Sequence, residues 1–140
     1  MAFDFGSHRI GVAVSRGPIV FSRPALSATG SVKAAADLVA EEAAARVFIG
    51  LPLLLSGLEG SSAKQASAFA SELAAQITNP VFLVDERYTT TLADKQLKEL
   101  PISGKQRRQI VDSAAAAQLL QFILNSEVAN PRQVWRRVSA

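Results

Sequence analysis

The chain has 140 residues, of which 49% are hydrophobic and 19% are charged, and its formal net charge is +3. This length and apolar content predict one soluble, cytoplasmic domain and exclude a disordered chain, while no apolar run reaches the ~18–20 residues of a membrane helix. The sequence contains no cysteine, which excludes a disulfide framework, a thiolate zinc site and a cysteine nucleophile.

The first part of the chain has the pattern of three strands joined by short turns. Apolar residues alternate with other residues around Asp4 and again over 10–14, and Gly6 marks the turn between these two runs. Gly17 and Pro18 end the second run, and a third apolar run begins at Ile19. We therefore predict three antiparallel strands connected by hairpins.

The rest of the chain alternates helical patterns with short apolar runs. Helical spacing of apolar residues predicts helices over 31–45, 62–77, 91–100 and 105–125, and continuous apolar runs predict buried strands at 47–49 and 81–84. This order predicts an α/β fold with a mixed five-stranded sheet, three antiparallel strands followed by two parallel ones, and helices on both faces. In such folds ligands bind beyond the carboxyl ends of the strands.

The C-terminal segment differs in composition from the rest. Residues 127–140 form a basic tail in which Asn130 and Pro131 are suited to begin a short helix. The tail places three arginines around Trp135, a composition that suits stacking on single-stranded nucleic acid. The alternative is that Trp135 simply packs onto the domain. The arginines are Arg132, Arg136 and Arg137.

Acidic residues occur at three places with apolar surroundings. Asp4 lies inside the first strand, Glu86 follows Asp85 at the end of the most hydrophobic strand, and Asp112 precedes a run of four alanines. Each has an ordinary alternative, because a turn amide or a neighbouring arginine can satisfy a single carboxylate. Burying a charge without a partner is costly, and three converging carboxylates would repel one another unless a cation neutralised them. Taken together they predict a site for Mg²⁺ or Mn²⁺, which prefer oxygen ligands.

Four stretches share their residue types, order and spacing with one protein family. They are Asp4–Gly6 with Arg9–Ser15, Gly50–Leu53 with Gly57 and Glu59–Gly60, Asp85–Thr90, and Gly104–Lys105 followed by Val111–Ala115. Through them the chain resembles the YqgF/RuvX family, relatives of RuvC-type Holliday junction resolvases with an RNase H-like fold. The resemblance extends over residues 1–126, which we interpret as the nuclease domain.

The resemblance implies a site and an activity. The acidic site corresponds to Asp4, Glu86 and Asp112, with Asp85 as the alternative for the second position. The implied activity is a two-metal endonuclease that uses Mg²⁺ or Mn²⁺ and matures the 5′ end of the 16S ribosomal RNA precursor. The alternatives are a Holliday junction resolvase-like DNA nuclease and a non-catalytic RNase H-like module that binds nucleic acid. A sugar-kinase or actin-like ATPase half is disfavoured, because 140 residues leave no room for its second lobe.

Basic residues close in sequence to the acidic positions are the candidates for phosphate contacts. They are Arg9, Arg87, Lys105, Arg107 and Arg108. We expect a nucleic-acid partner, RNA rather than DNA, and no membrane partner, and the protein is expected to be a monomer or a homodimer. The resembling family commonly has Asn where this chain has Leu54, and the leucines between Leu53 and Leu58 could form core, a protein contact or a lid.

Overall fold

The protein is described by a computed structural model that covers residues 1–6, 8–54, 56–86, 104–129 and 135–138; side chains of the last helix are described between 114 and 126. Nine elements follow one another along this part of the chain. In order they are β1 Ala2–Phe5, β2 Arg9–Arg16, β3 Ile19–Ser27, α1 Ser31–Glu41, β4 Val47–Leu51, α2 Ser61–Gln76, β5 Val81–Asp85, α3 Gly104–Ala129 and β6 Trp135–Arg137.

The strands form one mixed sheet in the order β3-β2-β1-β4-β5-β6. β1, β2 and β3 pair in antiparallel fashion, and β4 and β5 continue the sheet parallel to β1. This confirms the predicted fold class and the predicted directions of the first five strands. The β1–β2 and β2–β3 connections are short enough for hairpins, whereas each parallel strand is entered after a helix, as a crossover requires.

Two apolar clusters lie on opposite faces of the sheet. Successive residues of a strand point to opposite faces, and on β1 Ala2 belongs to one cluster while Phe3 belongs to the other. The Phe3 cluster is completed by α1 and α2, and the Ala2 cluster is completed by α3. Helices therefore cover both faces, as predicted, and among the described helices it is α3 that covers the face to which Ala2 points.

The helix predicted over 31–45 corresponds to α1, which ends four residues earlier, at Glu41, and two other helices have nearly the predicted bounds. The pattern over 62–77 corresponds to α2, and the pattern over 105–125 corresponds to α3, which continues to Ala129. The helix predicted over 91–100 lies outside the described residues. None of the described helices combines the length and the apolar character that crossing a bilayer would require.

Two predictions are wrong at the C-terminal tail. The sheet has six strands and not five, and Trp135–Arg137 forms the sixth strand and not part of a short helix. β6 pairs with β5 in antiparallel fashion, with Trp135 opposite Val84. The Trp135 side chain is 7% exposed and meets Phe48 edge-to-face, with ring centroids 5.7 Å apart. The extended conformation is favoured over the predicted helix because it buries this large aromatic ring in the cluster beneath α3. Packing, the alternative to base stacking, is therefore confirmed for Trp135.

The leucine-rich loop after β4 divides between core and surface. Leu53 packs against the core cluster that includes α2, whereas Leu54 and Leu58 are 53% and 68% exposed. The loop is closed by a hydrogen bond in which the Leu54 amide donates to the Leu58 carbonyl oxygen at 3.0 Å. The core alternative therefore holds for Leu53 and not for Leu54 or Leu58. Leu55 lies outside the described residues.

Candidate functional site

The carboxyl ends of three neighbouring strands bring the first two predicted acidic residues to one edge of the sheet. Asp4 is the third residue of β1, and Glu86 follows β5 directly. β4 lies between these strands, with Ile49 beside Phe3 and Gly50 beside Val84. Continuing the β1–β4 register by one residue brings Asp4 beside Gly50. The parallel crossovers thus gather positions that are 82 residues apart in sequence, the difference between 86 and 4.

The same three positions share one face of the sheet. Asp4 follows Ala2 by two residues and Gly50 follows Phe48 by two, and both Ala2 and Phe48 belong to the cluster beneath α3. Glu86 follows Val84 by two residues, and Val84 belongs to that cluster as well. Strand alternation therefore puts Asp4 and Gly50 on the face that α3 covers. Glu86 follows the end of β5, and its side chain shares this face because it lies against Gly50. This face is enclosed by protein, which explains why a charged group here is shielded from water.

Glu86 is buried and is hydrogen-bonded to Asp4. Its residue is 9% exposed, one of two buried polar residues in the described part of the chain. Burial raises the pKa of the Glu86 carboxyl far above its ordinary value of 4.5, and the hydrogen bond to Asp4 and the charges of Asp4 and Asp85 raise it further. A hydrogen bond between two carboxyl groups needs one proton. Glu86 therefore donates its proton to the Asp4 carboxylate.

The Glu86 side chain crosses the backbone of β4 at a glycine. A Cβ atom built on Gly50 would collide with the Oε1 and Cδ atoms of Glu86 and would lie 2.7 Å from its Cγ atom. The nearest described neighbours of Gly50 on this face are thus atoms of Glu86 itself. Gly50 is not among the predicted site residues, although a glycine within a buried apolar run is a sequence sign that another group approaches the strand closely.

The other two acidic residues predicted for the site are Asp85 and Asp112. Asp85 is the last residue of β5 and pairs with Leu51, and it acts on Glu86 through its charge. Within the described residues, no third His, Cys, Asp or Glu joins Asp4 and Glu86 in a group able to hold a metal ion. Asp112 is a residue of α3, and its side chain lies outside the described part. The choice of Asp112 as a site residue remains a prediction.

Of the predicted phosphate contacts, the structure describes the side chain of Arg9 alone. Arg9 begins β2, and its carbonyl oxygen accepts a hydrogen bond from the Gly6 amide at 2.9 Å. A Cβ atom on Gly6 would lie 2.7 Å from that oxygen, so the turn is tight. Asp4 pairs with Gly11 on β2, and Arg9 lies two residues before Gly11 on the same strand. Arg9 is half-buried at the same end of β1 as the acidic pair. The other candidates lie outside the described residues or, within α3, have undescribed side chains: Arg87, Lys105, Arg107 and Arg108.

The acidic pair fits a hard divalent cation by the chemistry of its donors. Two carboxyl groups that touch in a shielded site cannot both be ionised without a counter-charge. The proton that Glu86 shares with Asp4 occupies the place of such a charge, and a divalent cation can replace it because carboxylate oxygens are the ligands that Mg²⁺ and Mn²⁺ prefer. The donor chemistry of Asp4 and Glu86 therefore fits the predicted cation.

The raised pKa of Glu86 predicts how stability depends on pH. The folded protein holds this proton more tightly than the unfolded chain does. The contribution of Glu86 to the free energy of unfolding is therefore largest below pH 4.5 and falls as the pH rises from there. In buffer without divalent cations, we expect Glu86→Gln to have a higher unfolding midpoint than the wild type. The difference between the two midpoints should be several degrees larger at pH 8 than at pH 5. Thermal melts at both pH values test this. A difference between the two proteins that stays constant with pH would contradict the assignment.

Comparison with known proteins adds the family context of this site. Residues 1–126 match the family model described as "RuvX: Holliday junction resolvase". Curated relatives named "Putative pre-16S rRNA nuclease" include one from Thermobifida fusca, 40% identical over 138 residues and covering 91% of this chain and 87% of the relative. The relative from Pelotomaculum thermopropionicum is 36% identical over 140 residues, covering 95% and 90%. The one from Mycobacteroides abscessus is 38% identical over 128 residues, covering 86% and 77%.

Proposed function

Since this chain belongs to the RuvX family, we propose that it is a nuclease that cleaves structured RNA and that its substrate is the precursor of 16S ribosomal RNA. The relatives' shared name supports this substrate, and the relatives match over most of their own length. A ribosomal RNA precursor also agrees with the cytoplasmic location that we predict from the sequence. The RNA assignment therefore rests on the relatives, whereas the chemistry rests on the site.

The observation that carries the proposed chemistry is the buried carboxyl pair of Asp4 and Glu86. We propose that these residues and Asp112 hold Mg²⁺ or Mn²⁺. The sequence position of Asp112 supports this. Ala115, Ala116 and Leu119 are three, four and seven residues further along α3, and all three are buried. A helix brings residues at these spacings to one stripe. A cation held there would supply a water nucleophile and neutralise charge that develops on the phosphate.

The protein's own groups would divide the remaining work between charge and positioning. Asp4 and Glu86 would provide the negative charge that retains the cation. Because Glu86 is buried, few water molecules would compete with its carboxylate for the cation. Arg9, Arg87, Lys105, Arg107 and Arg108 would bind substrate phosphates, because each is close in sequence to a proposed ligand. Arg9 supports this directly, since the turn at Gly6 keeps it at the same end of β1 as the pair.

A second substrate class is favoured by the description of the matching family, which is that of a Holliday junction resolvase. A resolvase cuts two strands of a four-way DNA junction and would need two active sites, and hence a homodimer. Trimming of an RNA end needs one site and is compatible with a monomer. Substrate preference and oligomeric state therefore test the two alternatives together.

The deciding experiment measures cleavage with Mn²⁺ on three substrates at equal concentration. They are a 16S ribosomal RNA precursor with its 5′ extension, single-stranded oligonucleotides and a four-way DNA junction. We expect cleavage of the precursor near its 5′ end, loss of cleavage in EDTA, and Mn²⁺ binding by calorimetry. Preferential cutting of the junction would favour the resolvase. RNA binding without any Mn²⁺ binding at millimolar concentrations would instead indicate the non-catalytic module.

A further inference from the structure

We propose that Gly50 is a positioning residue of the nuclease site, whose missing side chain leaves the passage through which Glu86 reaches Asp4. The inference rests on the proposed function, because its importance for catalysis depends on these two carboxylates holding a cation. It concerns a residue that makes no contact with substrate. Its evidence is independent of the relatives and comes from the packing of one side chain across the sheet.

The backbone itself does not require glycine at this position. Gly50 lies in the interior strand β4, is buried, and is not among the glycines whose φ is positive. Any residue can adopt such a conformation. Glycine within a strand is destabilising relative to alanine, because it loses more conformational freedom on folding. A glycine here is therefore unfavourable for β4 taken alone, and its cost has to be offset by something that a side chain would prevent.

The order of the strands shows what a side chain would prevent. β4 separates β1, which carries Asp4, from β5, which Glu86 follows. Neighbouring strands are ~4.8 Å apart, so about 10 Å of sheet lies between the two acidic strands. Glu86 must extend across β4 to make its hydrogen bond to Asp4. A side chain on β4 at the crossing point would close that path.

The crossing point is Gly50. The atoms that a Cβ would meet there belong to the Glu86 side chain, with Cγ at 2.7 Å and the carboxyl group closer still. Atoms this close must move, and β4 cannot move because it is paired on both sides. Glu86 would have to turn away, which would separate its carboxyl group from Asp4. A single methyl group is thus sufficient to disassemble the acidic pair while leaving both carboxylates in the protein.

The test compares Gly50→Ala with an alanine substitution at Gly60, where the added Cβ would meet Leu54 and no atom of the acidic pair. Gly60 precedes α2, and a Cβ there would lie 3.3 Å from the end of the exposed Leu54 side chain, which can move aside. We expect Gly50→Ala to weaken Mn²⁺ binding, measured by calorimetry, by about 10–100-fold, as loss of an orienting neighbour does at metal sites. Gly60→Ala should bind Mn²⁺ within about twofold of the wild type.

A second measurement separates positioning from ordinary packing and needs no metal. Thermal unfolding midpoints are compared for Gly50→Ala in the wild-type background and in the Glu86→Ala background, where the colliding side chain is gone. We expect the substitution to lower the midpoint in the first background and to leave it unchanged or higher in the second. An equal loss in both backgrounds would overturn the inference, because the cost would then come from the strand and not from Glu86.

The two proposals fail in different ways. If wild-type protein does not bind Mn²⁺, the proposed metal-dependent function is contradicted, whatever the glycine variants do. If wild-type protein binds Mn²⁺ and Gly50→Ala binds it within twofold, only the role of Gly50 is contradicted. Should Gly50→Ala be too unstable to titrate, the double variant Gly50→Ala/Glu86→Ala still decides through its unfolding midpoint.

Discussion

Glu86→Gln is expected to lower Mn²⁺-dependent cleavage of the 16S ribosomal RNA precursor by about 10²–10⁴-fold. Glutamine has nearly the same shape and can still donate a hydrogen bond to Asp4, so the fold is retained while one negative charge is lost. A catalytic cation contributes several kcal/mol of charge stabilisation, and each 1.36 kcal/mol is a factor of ten in rate. Single-turnover cleavage at saturating Mn²⁺ measures the effect.

Matched variants show whether the loss belongs to the site. Asp4→Asn should reduce cleavage to a similar extent, and the double variant should be little worse than either alone, because the two residues act as one unit. Asp37→Asn on α1 and Glu72→Gln on α2 remove exposed carboxylates elsewhere and should leave the rate within about twofold. Full activity in both Asp4→Asn and Glu86→Gln would rule out a catalytic role for the pair.

Trp135→Ala is expected to lower the free energy of unfolding by about 3–5 kcal/mol and the unfolding midpoint by roughly 10 °C or more. The ring is 7% exposed and is packed edge-to-face on Phe48 beneath α3, so its removal leaves a cavity at the edge of the core. Denaturant or thermal unfolding gives the magnitude. The same measurement on Trp135→Phe should show a smaller loss, since an aromatic ring still fills part of the space.

RNA affinity distinguishes this role from a substrate contact. A base-stacking aromatic contributes ~1–3 kcal/mol per base, so its loss would weaken binding by about 5- to 150-fold. Because Trp135 is buried, we expect Trp135→Leu, which removes the aromatic ring, to bind the RNA precursor within about twofold of the wild type at a temperature where both are folded. A tenfold weaker affinity at equal stability would mean that Trp135 also faces the substrate.

Local patterns in the sequence were sufficient for most of the fold. The alternation around Asp4 and over 10–14 and the continuous apolar run at 81–84 each reflect which faces of a strand are buried, and that information is local. The short strand β6 has no such pattern, because three residues are too few to define a period. Its conformation depends on pairing with β5 and on the ring of Phe48, both of which are distant in sequence.

The candidate site shows the same division. Asp4 and Glu86 could be chosen from the sequence because a carboxylate beside a buried apolar run needs a partner, and this follows from the cost of burying charge. Their mutual partnership could not be derived in this way, since it depends on β1 and β5 lying on either side of β4. Asp85 and Glu86 are indistinguishable by composition, and only the folded structure shows that the Glu86 side chain lies against Gly50 and is hydrogen-bonded to Asp4.

The amino-acid sequence by itself determined the fold class and the available side-chain chemistry: an α/β domain without cysteine, with carboxylates near strand ends that we predict to hold a hard cation. Only the tertiary structure decided how those donors meet. It brought Glu86 across β4 to Asp4, and it made Gly50 the residue that permits the crossing. The physical reason is that residue types and spacing reflect local burial, whereas a contact across three strands depends on the order in which crossovers assemble the sheet.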